Sequence, residues 1–93
     1  MQALSEQELH TAVLELPNWR IADGKLIRDF ELPNFVEALD FVNRVGALAE
    51  SQNHHPDIDI RYNKVRLGLI THDANGITRR DLRLAALLDA TFA

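Results

Sequence analysis

The segment DIDIRYNKVRLGLITH, residues 57–72, decides the fold because its apolar side chains alternate with polar ones on both sides of a short turn. From Asp57 to Tyr62 the two isoleucines and the tyrosine share one face, and from Val65 onward apolar residues again take alternate positions. A period of two is typical of strands that bury one face. Asn63-Lys64, between the two runs, predicts a tight turn. The segment therefore predicts an antiparallel hairpin.

A second hairpin is predicted closer to the N-terminus. Residues 19–21 and 26–32 both have strand-like composition, and they flank the dipeptide Asp23-Gly24. An Asp-Gly pair between two such runs favours a hairpin turn, because it tolerates the positive φ angles that this turn requires. Two hairpins together can form one antiparallel sheet of four strands.

Three stretches place apolar side chains at helical spacing. Each follows a residue whose side chain commonly caps a helix by accepting a main-chain hydrogen bond. In the first stretch a glutamate stands three residues after the serine, which is the capping-box pattern, and a proline ends the helix. The caps are Ser5, Asn34 and Thr78, and the helices are expected over residues 4–16, 35–52 and about 79–92.

The elements follow the order α-β-β-α-β-β-α. We therefore predict an α+β fold, with a four-stranded antiparallel sheet and three helices packed on one face of it. The other face would be open to solvent, a ligand or another subunit. A chain of 93 residues fits a single domain over residues 1–93.

Composition excludes several classes of protein. The formal net charge is -4 and no basic stripe stands out, so binding to nucleic acid is disfavoured. Cysteine is absent, which excludes disulfides and thiolate metal sites. No window resembles a membrane span, and the acidic N-terminal segment does not resemble a signal peptide. We expect a cytoplasmic protein.

Three of the four histidines fall within about thirty residues, together with two carboxylates. Histidine can both donate and accept protons near neutral pH. Glu50 lies in the last predicted turn of the second helix, and we expect it to orient His54, four residues on. His72 is expected to end the last strand and to face the open side of the sheet. The fourth histidine, His10, is expected to be a solvated surface residue of the first helix.

Other interpretations of the cluster remain open from the residues alone. His54 and His55 could form a solvated turn, and Asp81, three residues after Thr78, could serve only in a capping box. Zinc or iron is the main chemical alternative. The adjacency of the two histidines and the lack of a His-Glu-x-x-His motif count against a metal. No serine lies in a nucleophile-elbow sequence, and no glycine-rich phosphate loop occurs.

The spacing of these residues resembles the signature of the pterin-4a-carbinolamine dehydratases, and the resemblance covers nearly the whole chain. It rests on Glu50-x3-His54-His55-Pro56, Tyr62, Thr71-His72-Asp73 and Gly76-Ile77-Thr78-x2-Asp81. It implies the α+β fold given above, self-association into dimers or tetramers, and no metal or organic cofactor. The implied reaction is loss of water from 4a-hydroxytetrahydropterin, which recycles the pterin cofactor of aromatic amino acid hydroxylases.

The resemblance also implies roles for individual residues. His54 and His72 would be candidate acids toward the leaving hydroxyl, and His55 would bind the pterin and act as a base. Glu50 would orient His54, and Asp81 would support the site near His72. The remaining supporting or substrate-binding residues would be Pro56, Tyr62, Thr71, Asp73 and Arg80. Two alternatives stay open, a non-catalytic binding or assembly module on the same fold and a related role in molybdopterin metabolism.

Overall fold

A computed structural model describes residues 2–92 and confirms the predicted fold class and element order. Three α-helices pack against a four-stranded antiparallel sheet. The prediction of a single domain over residues 1–93 stays a prediction, and its two terminal residues lie outside the described range. The helices are α1 (Glu6–Leu14), α2 (Phe35–Gln52) and α3 (Arg79–Thr91), and the strands are β1 (Arg20–Ala22), β2 (Lys25–Glu31), β3 (Asp57–Arg61) and β4 (Lys64–Leu69).

The two hairpins meet through their second strands, so the sheet order is β1-β2-β4-β3. The first turn is formed by Asp23 and Gly24, both with positive φ, as the dipeptide predicts. The second turn differs by one residue from the prediction. Arg61 pairs with Lys64, and Tyr62 adopts a φ of 55°, so the turn is Tyr62-Asn63. Tyr62 thus lies in the turn and not at the end of a strand.

The core lies between the sheet and the helices. The apolar positions of β2 and β4 face this layer, as the alternation predicts, and Leu26, Leu67 and Leu69 are completely buried. Burial of one such side chain stabilises the fold by roughly 1.5–3 kcal/mol. The largest buried side chains that the helices supply are Phe41, Val45, Leu84 and Leu88.

The open face of the sheet is covered by ion pairs. Lys25 forms an ion pair with Asp57 at 2.7 Å. Asp29 accepts a hydrogen bond from Arg66 and also forms an ion pair with Arg20. The hydrogen bond from Arg66 is the largest of the effects that lower the pKa of Asp29 below its ordinary value. This face is therefore a charged, solvated surface in the single chain.

The helix termini follow the predicted capping side chains. Ser5 and Glu8 form the reciprocal capping box, and Asn34 accepts a hydrogen bond from the main-chain N–H of Glu37. The first helix is shorter than predicted and covers Glu6–Leu14. Ser5 is its extended N-cap and not a helical residue, and Leu4 donates its N–H to the carbonyl of Ile77. Within residues 2–92, no helix is both long and apolar enough to cross a membrane.

Gly76 provides a test of how the N-terminal segment packs. A Cβ at Gly76 would lie 2.9 Å from the Cβ of Ala3, closer than two carbon atoms can approach without strain. We expect Gly76→Ala to lower the free energy of unfolding by about 1 kcal/mol, and Ala3→Gly in the same chain to restore it. Urea denaturation of the single and double variants measures both changes.

Gly46→Ala is the matched control for that experiment. Nothing lies within 4 Å of a Cβ at Gly46, which occupies the interior of α2. The substitution should raise stability by up to about 1 kcal/mol through helix propensity. If Gly76→Ala stabilises the protein as Gly46→Ala does, the close approach to Ala3 does not lower the free energy of unfolding.

Candidate active site

Strand register brings the two histidine segments to one end of the sheet. β3 and β4 are antiparallel, and Asp57 at the start of β3 pairs with Gly68 near the end of β4. The residues just before Asp57 and just after Leu69 therefore leave the sheet side by side. His54-His55-Pro56 precede the first strand, and Thr71-His72-Asp73 follow the second.

The end of α2 sets the direction of His54. The helix stops at Gln52 because Asn53 adopts a left-handed conformation with a φ of 51°. His54 then turns inward, and its Nε2 lies 2.5 Å from Oδ1 of Asp81. The His54 side chain is only 12% exposed, and the Asp81 side chain is completely buried. The pair joins the end of α2 to the first turn of α3.

Glu50 pairs with His55 and not with His54, so the predicted partner is wrong. Oε2 of Glu50 lies 2.7 Å from Nε2 of His55, and both side chains are exposed. The prediction assumed that helical spacing continues as far as His54. The left-handed turn at Asn53 ends that spacing, rotates His54 into the interior and leaves His55 on the Glu50 side. Each of the two adjacent imidazoles thus has its own carboxylate.

Asp81 has more partners than a capping residue needs. Its Oδ2 accepts a hydrogen bond of 2.9 Å from the hydroxyl of Thr71 and another of 2.9 Å from the main-chain N–H of Thr78. The second bond confirms the capping box that the sequence left open. Asp81 was expected to support the site near His72. The histidine that it contacts directly is His54. Among residues 2–92, no buried side-chain nitrogen or oxygen lacks a hydrogen-bond partner.

His72 lies next to this network but outside the strand in which it was expected. β4 ends at Leu69, and Thr71 bridges to Gly76 across a short 3₁₀ turn that begins at His72. The strand alternation used to orient His72 therefore does not reach it. Its side chain is exposed, and none of the described side chains is hydrogen-bonded to it. Thr71, which precedes His72 in the chain, donates a hydrogen bond to Asp81, the carboxylate that also contacts His54. This bond fixes the main chain beside His72.

The other predicted site residues divide into two groups. Pro56 is half-buried, while Asp73 and Arg80 are exposed at the histidine end. Tyr62 lies at the far end of β3, roughly 20 Å of extended chain from His55, and it is 67% exposed. A single chain therefore does not bring Tyr62 to the histidines.

Sequence reasoning missed the part that Thr78 plays in the site. Thr78 was predicted as a helix cap and belongs to the family signature, but it was not named as a site residue. It is completely buried, and its hydroxyl lies 2.7 Å from the hydroxyl of Thr71. The signal in the sequence was a second threonine close to a carboxylate that was already suspected. Only the sheet geometry brings Thr71 and Thr78 together.

This arrangement is suited to proton transfer. Two imidazoles held by separate carboxylates, with a third exposed imidazole nearby, can supply both a general acid and a general base. Within the described part of the chain, no three histidine or carboxylate side chains converge as a cation would require. The three side chains are therefore candidates for proton donors and acceptors at this end of the sheet.

The two carboxylate–histidine pairs should differ sharply in their contribution to stability. Asp81→Asn replaces one accepting oxygen by an NH2 group, which cannot accept the hydrogen bonds made there, and it removes the charge from a buried site. We therefore expect a loss of about 3 kcal/mol in the free energy of unfolding. Glu50→Gln alters an exposed pair and should change stability by less than about 0.5 kcal/mol. Chemical denaturation of both variants compares them, and equal losses would contradict the burial difference.

Comparisons with known proteins identify relatives over nearly the whole chain. The family described as Pterin 4 alpha carbinolamine dehydratase matches residues 2–91. A protein of Chloroflexus aurantiacus, provisionally named pterin-4-alpha-carbinolamine dehydratase, is 49% identical over 89 residues, which are 96% of either chain. A transcriptional coactivator/pterin dehydratase from Brucella melitensis has a crystal structure with a TM-score of 0.89 and 32% identity, covering 99% of this chain and 100% of its own.

A more distant structure has the same fold. A pterin dehydratase-like protein identified as a RuBisCO assembly factor in the alpha-carboxysome has a TM-score of 0.64 and 22% identity, over 78% of this chain and 87% of its own. At that identity the likeness concerns the fold alone. The family match and the 49% identity extend over nearly the whole chain. The chain belongs to the pterin-4-alpha-carbinolamine dehydratase family.

Proposed function

We propose that the protein dehydrates 4a-hydroxytetrahydropterin to quinonoid dihydropterin by histidine acid–base catalysis. The observation that carries the proposal is the pairing of His54 with Asp81 and of His55 with Glu50 at the end of the sheet where His72 is exposed. These are the histidines of the family signature, and they occur here in a chain that matches the family over residues 2–91.

The reaction needs two proton transfers and no change of oxidation state. The hydroxyl at C4a leaves as water after it receives a proton, and the hydrogen on N5 departs as a base takes it and the C4a–N5 double bond forms. Imidazoles can perform both steps near neutral pH, and each typically contributes a hundredfold or more. His54 and His72 are proposed as acids toward the hydroxyl, and His55 as the pterin-binding residue and base.

The proposal also covers the substrate and the biological role of the reaction. We propose tetrahydrobiopterin or a related pterin as the substrate, and recycling of the cofactor of an aromatic amino acid hydroxylase in the cytoplasm as the role. The competing proposal is a non-catalytic assembly role on the same fold. The three signature histidines favour the enzyme, because an assembly role has no need of imidazoles held by separate carboxylates.

The direct test is the rate at which quinonoid dihydropterin forms from freshly prepared carbinolamine. Purified protein should exceed the rate in buffer, and activity should survive exhaustive chelation. His55→Ala should lose at least about a hundredfold in activity. Its stability should change by less than about 0.5 kcal/mol because the side chain is exposed.

His10→Ala is the matched control, since it removes an exposed histidine of α1 that lies outside the cluster. It should retain full activity. Protein that fails to exceed buffer would overturn the enzyme proposal. Loss of activity in His55→Ala through unfolding alone would make that residue structural.

We also propose that two copies associate through the edge of the sheet. β3 is an edge strand, all five of its residues are exposed, and Ile58 and Ile60 remain 38% and 36% exposed. An open apolar edge strand commonly pairs with another strand.

Size measurements test this association. The protein should sediment as a dimer or larger assembly at micromolar concentration, and Ile60→Lys should shift it toward the monomer by placing a charge at the edge. Leu14→Lys changes an equally apolar side chain, 72% exposed on α1, and should leave the assembly intact. A wild-type monomer at these concentrations would contradict the proposal.

A further inference from the structure

Two buried hydroxyl groups lie behind the histidine site. Thr71 is 3% exposed and Thr78 is completely buried, and their oxygens are 2.7 Å apart. A buried hydroxyl requires hydrogen-bond partners, because water is not available to replace them. Each hydroxyl can donate only one hydrogen. The direction in which each one donates therefore follows from its surroundings.

The helix start fixes the direction of the chain of hydrogen bonds. Oγ1 of Thr78 accepts the main-chain N–H of Arg80 at 3.2 Å. Among the described residues, its own hydrogen has one acceptor within reach, the oxygen of Thr71. Thr71 then donates its single hydrogen to Oδ2 of Asp81. The chain runs from Arg80 N–H through Thr78 and Thr71 to the carboxylate.

Two donors on Oδ2 fix the orientation of the carboxylate. Thr71 O–H and Thr78 N–H both contact Oδ2 of Asp81, so Oδ1 is the oxygen left for His54. Oδ1 of an ionised carboxylate can only accept, and Nε2 of His54 must therefore carry the hydrogen. In neutral His54 the second nitrogen, Nδ1, is then unprotonated.

Nδ1 of His54 is free to meet a ligand. No residue in the range 2–92 forms a hydrogen bond with it, and no buried polar side-chain atom there is left without a partner. Nδ1 therefore reaches solvent, although most of the ring is buried. A proton transferred by His54 must pass through this nitrogen, since Nε2 is occupied by Asp81.

We propose that Thr78 is a positioning residue that acts through Thr71 and Asp81 to hold His54 as the Nε2–H tautomer, with Nδ1 as the nitrogen that exchanges protons with the substrate. The inference about the catalytic step rests on the proposed dehydratase function. The inference about the tautomer is independent of that function, because it concerns the protein without substrate. Capping alone requires only the oxygen of Thr78, whereas this role requires its hydrogen as well.

The first test is the tautomer of His54 in the free protein. Long-range ¹⁵N–¹H correlation spectra, recorded at a pH where the ring is neutral, distinguish hydrogen on Nε2 from hydrogen on Nδ1. The wild type and Thr78→Ser should both show the Nε2–H form. Thr71→Val should show a mixture, because Asp81 loses one of its donors. Thr78→Val should show a smaller shift in the same direction, because Thr71 loses the donor that holds its hydrogen toward Asp81. Hydrogen on Nδ1 in the wild type would overturn the proposal.

The second test separates kcat from KM. Thr71→Val should lower kcat about tenfold, as expected for a lost hydrogen bond to a charged group. Thr78→Val removes a bond between two hydroxyls and should lower kcat about threefold. KM of both variants should stay within about twofold of the wild-type value. Thr78→Ser keeps the hydroxyl and should keep kcat. Ser5→Ala, which removes the cap of α1 far from Asp81, should lower stability without lowering kcat.

Each remaining outcome has one meaning. A wild-type kcat in Thr78→Val, with the protein folded, would show that Thr78 is only a cap and would overturn the proposal. If the wild-type protein proves inactive as a dehydratase, the proposed function fails. The tautomer spectra would still decide whether the two hydroxyls control His54.

Discussion

The structure at the histidine end depends on one buried carboxylate. Asp81 is withdrawn completely from water, and an isolated charge in that position would cost several kcal/mol. Its donors come from three parts of the chain: the hydroxyl of Thr71 after β4, the main-chain N–H of Thr78 before α3, and the imidazole of His54 after α2. Satisfying Asp81 therefore fixes three segments relative to one another and positions the imidazole that they surround.

The two neighbouring imidazoles differ because one turn separates their environments. The left-handed residue Asn53 ends α2 and directs His54 into the protein, where its partner is buried. His55 stays at the surface, and its exposed partner Glu50 can be displaced by water or by a ligand. The inner imidazole is therefore held by a buried carboxylate and the outer one by an exposed carboxylate, so two adjacent histidines have different surroundings. Membership of the pterin-4-alpha-carbinolamine dehydratase family is consistent with such a site.

Much of the fold could be predicted because short stretches of the sequence indicate where each helix, strand and turn lies. The two hairpins, the element order and the capping side chains follow from alternation, turn residues and short-range hydrogen bonds. The misplacements were also local. Tyr62 entered the turn because its φ is positive, and His72 left the strand because the Thr71–Gly76 bridge closes a short turn there. Local turn geometry decided both positions, and strand alternation alone could not have indicated them.

The sequence by itself indicated the candidate histidines and carboxylates, whose intervals resemble the family signature, although it assigned Tyr62 to the same site and gave no site role to Thr78. It also determined the fold class, because periodicity reports which face of each element is apolar. Only the tertiary structure decided which carboxylate holds which imidazole, giving Asp81 to His54 and Glu50 to His55. The reason is physical: a hydrogen bond depends on the direction of a side chain in space, and the turn at Asn53 and the register of β3 on β4 set that direction.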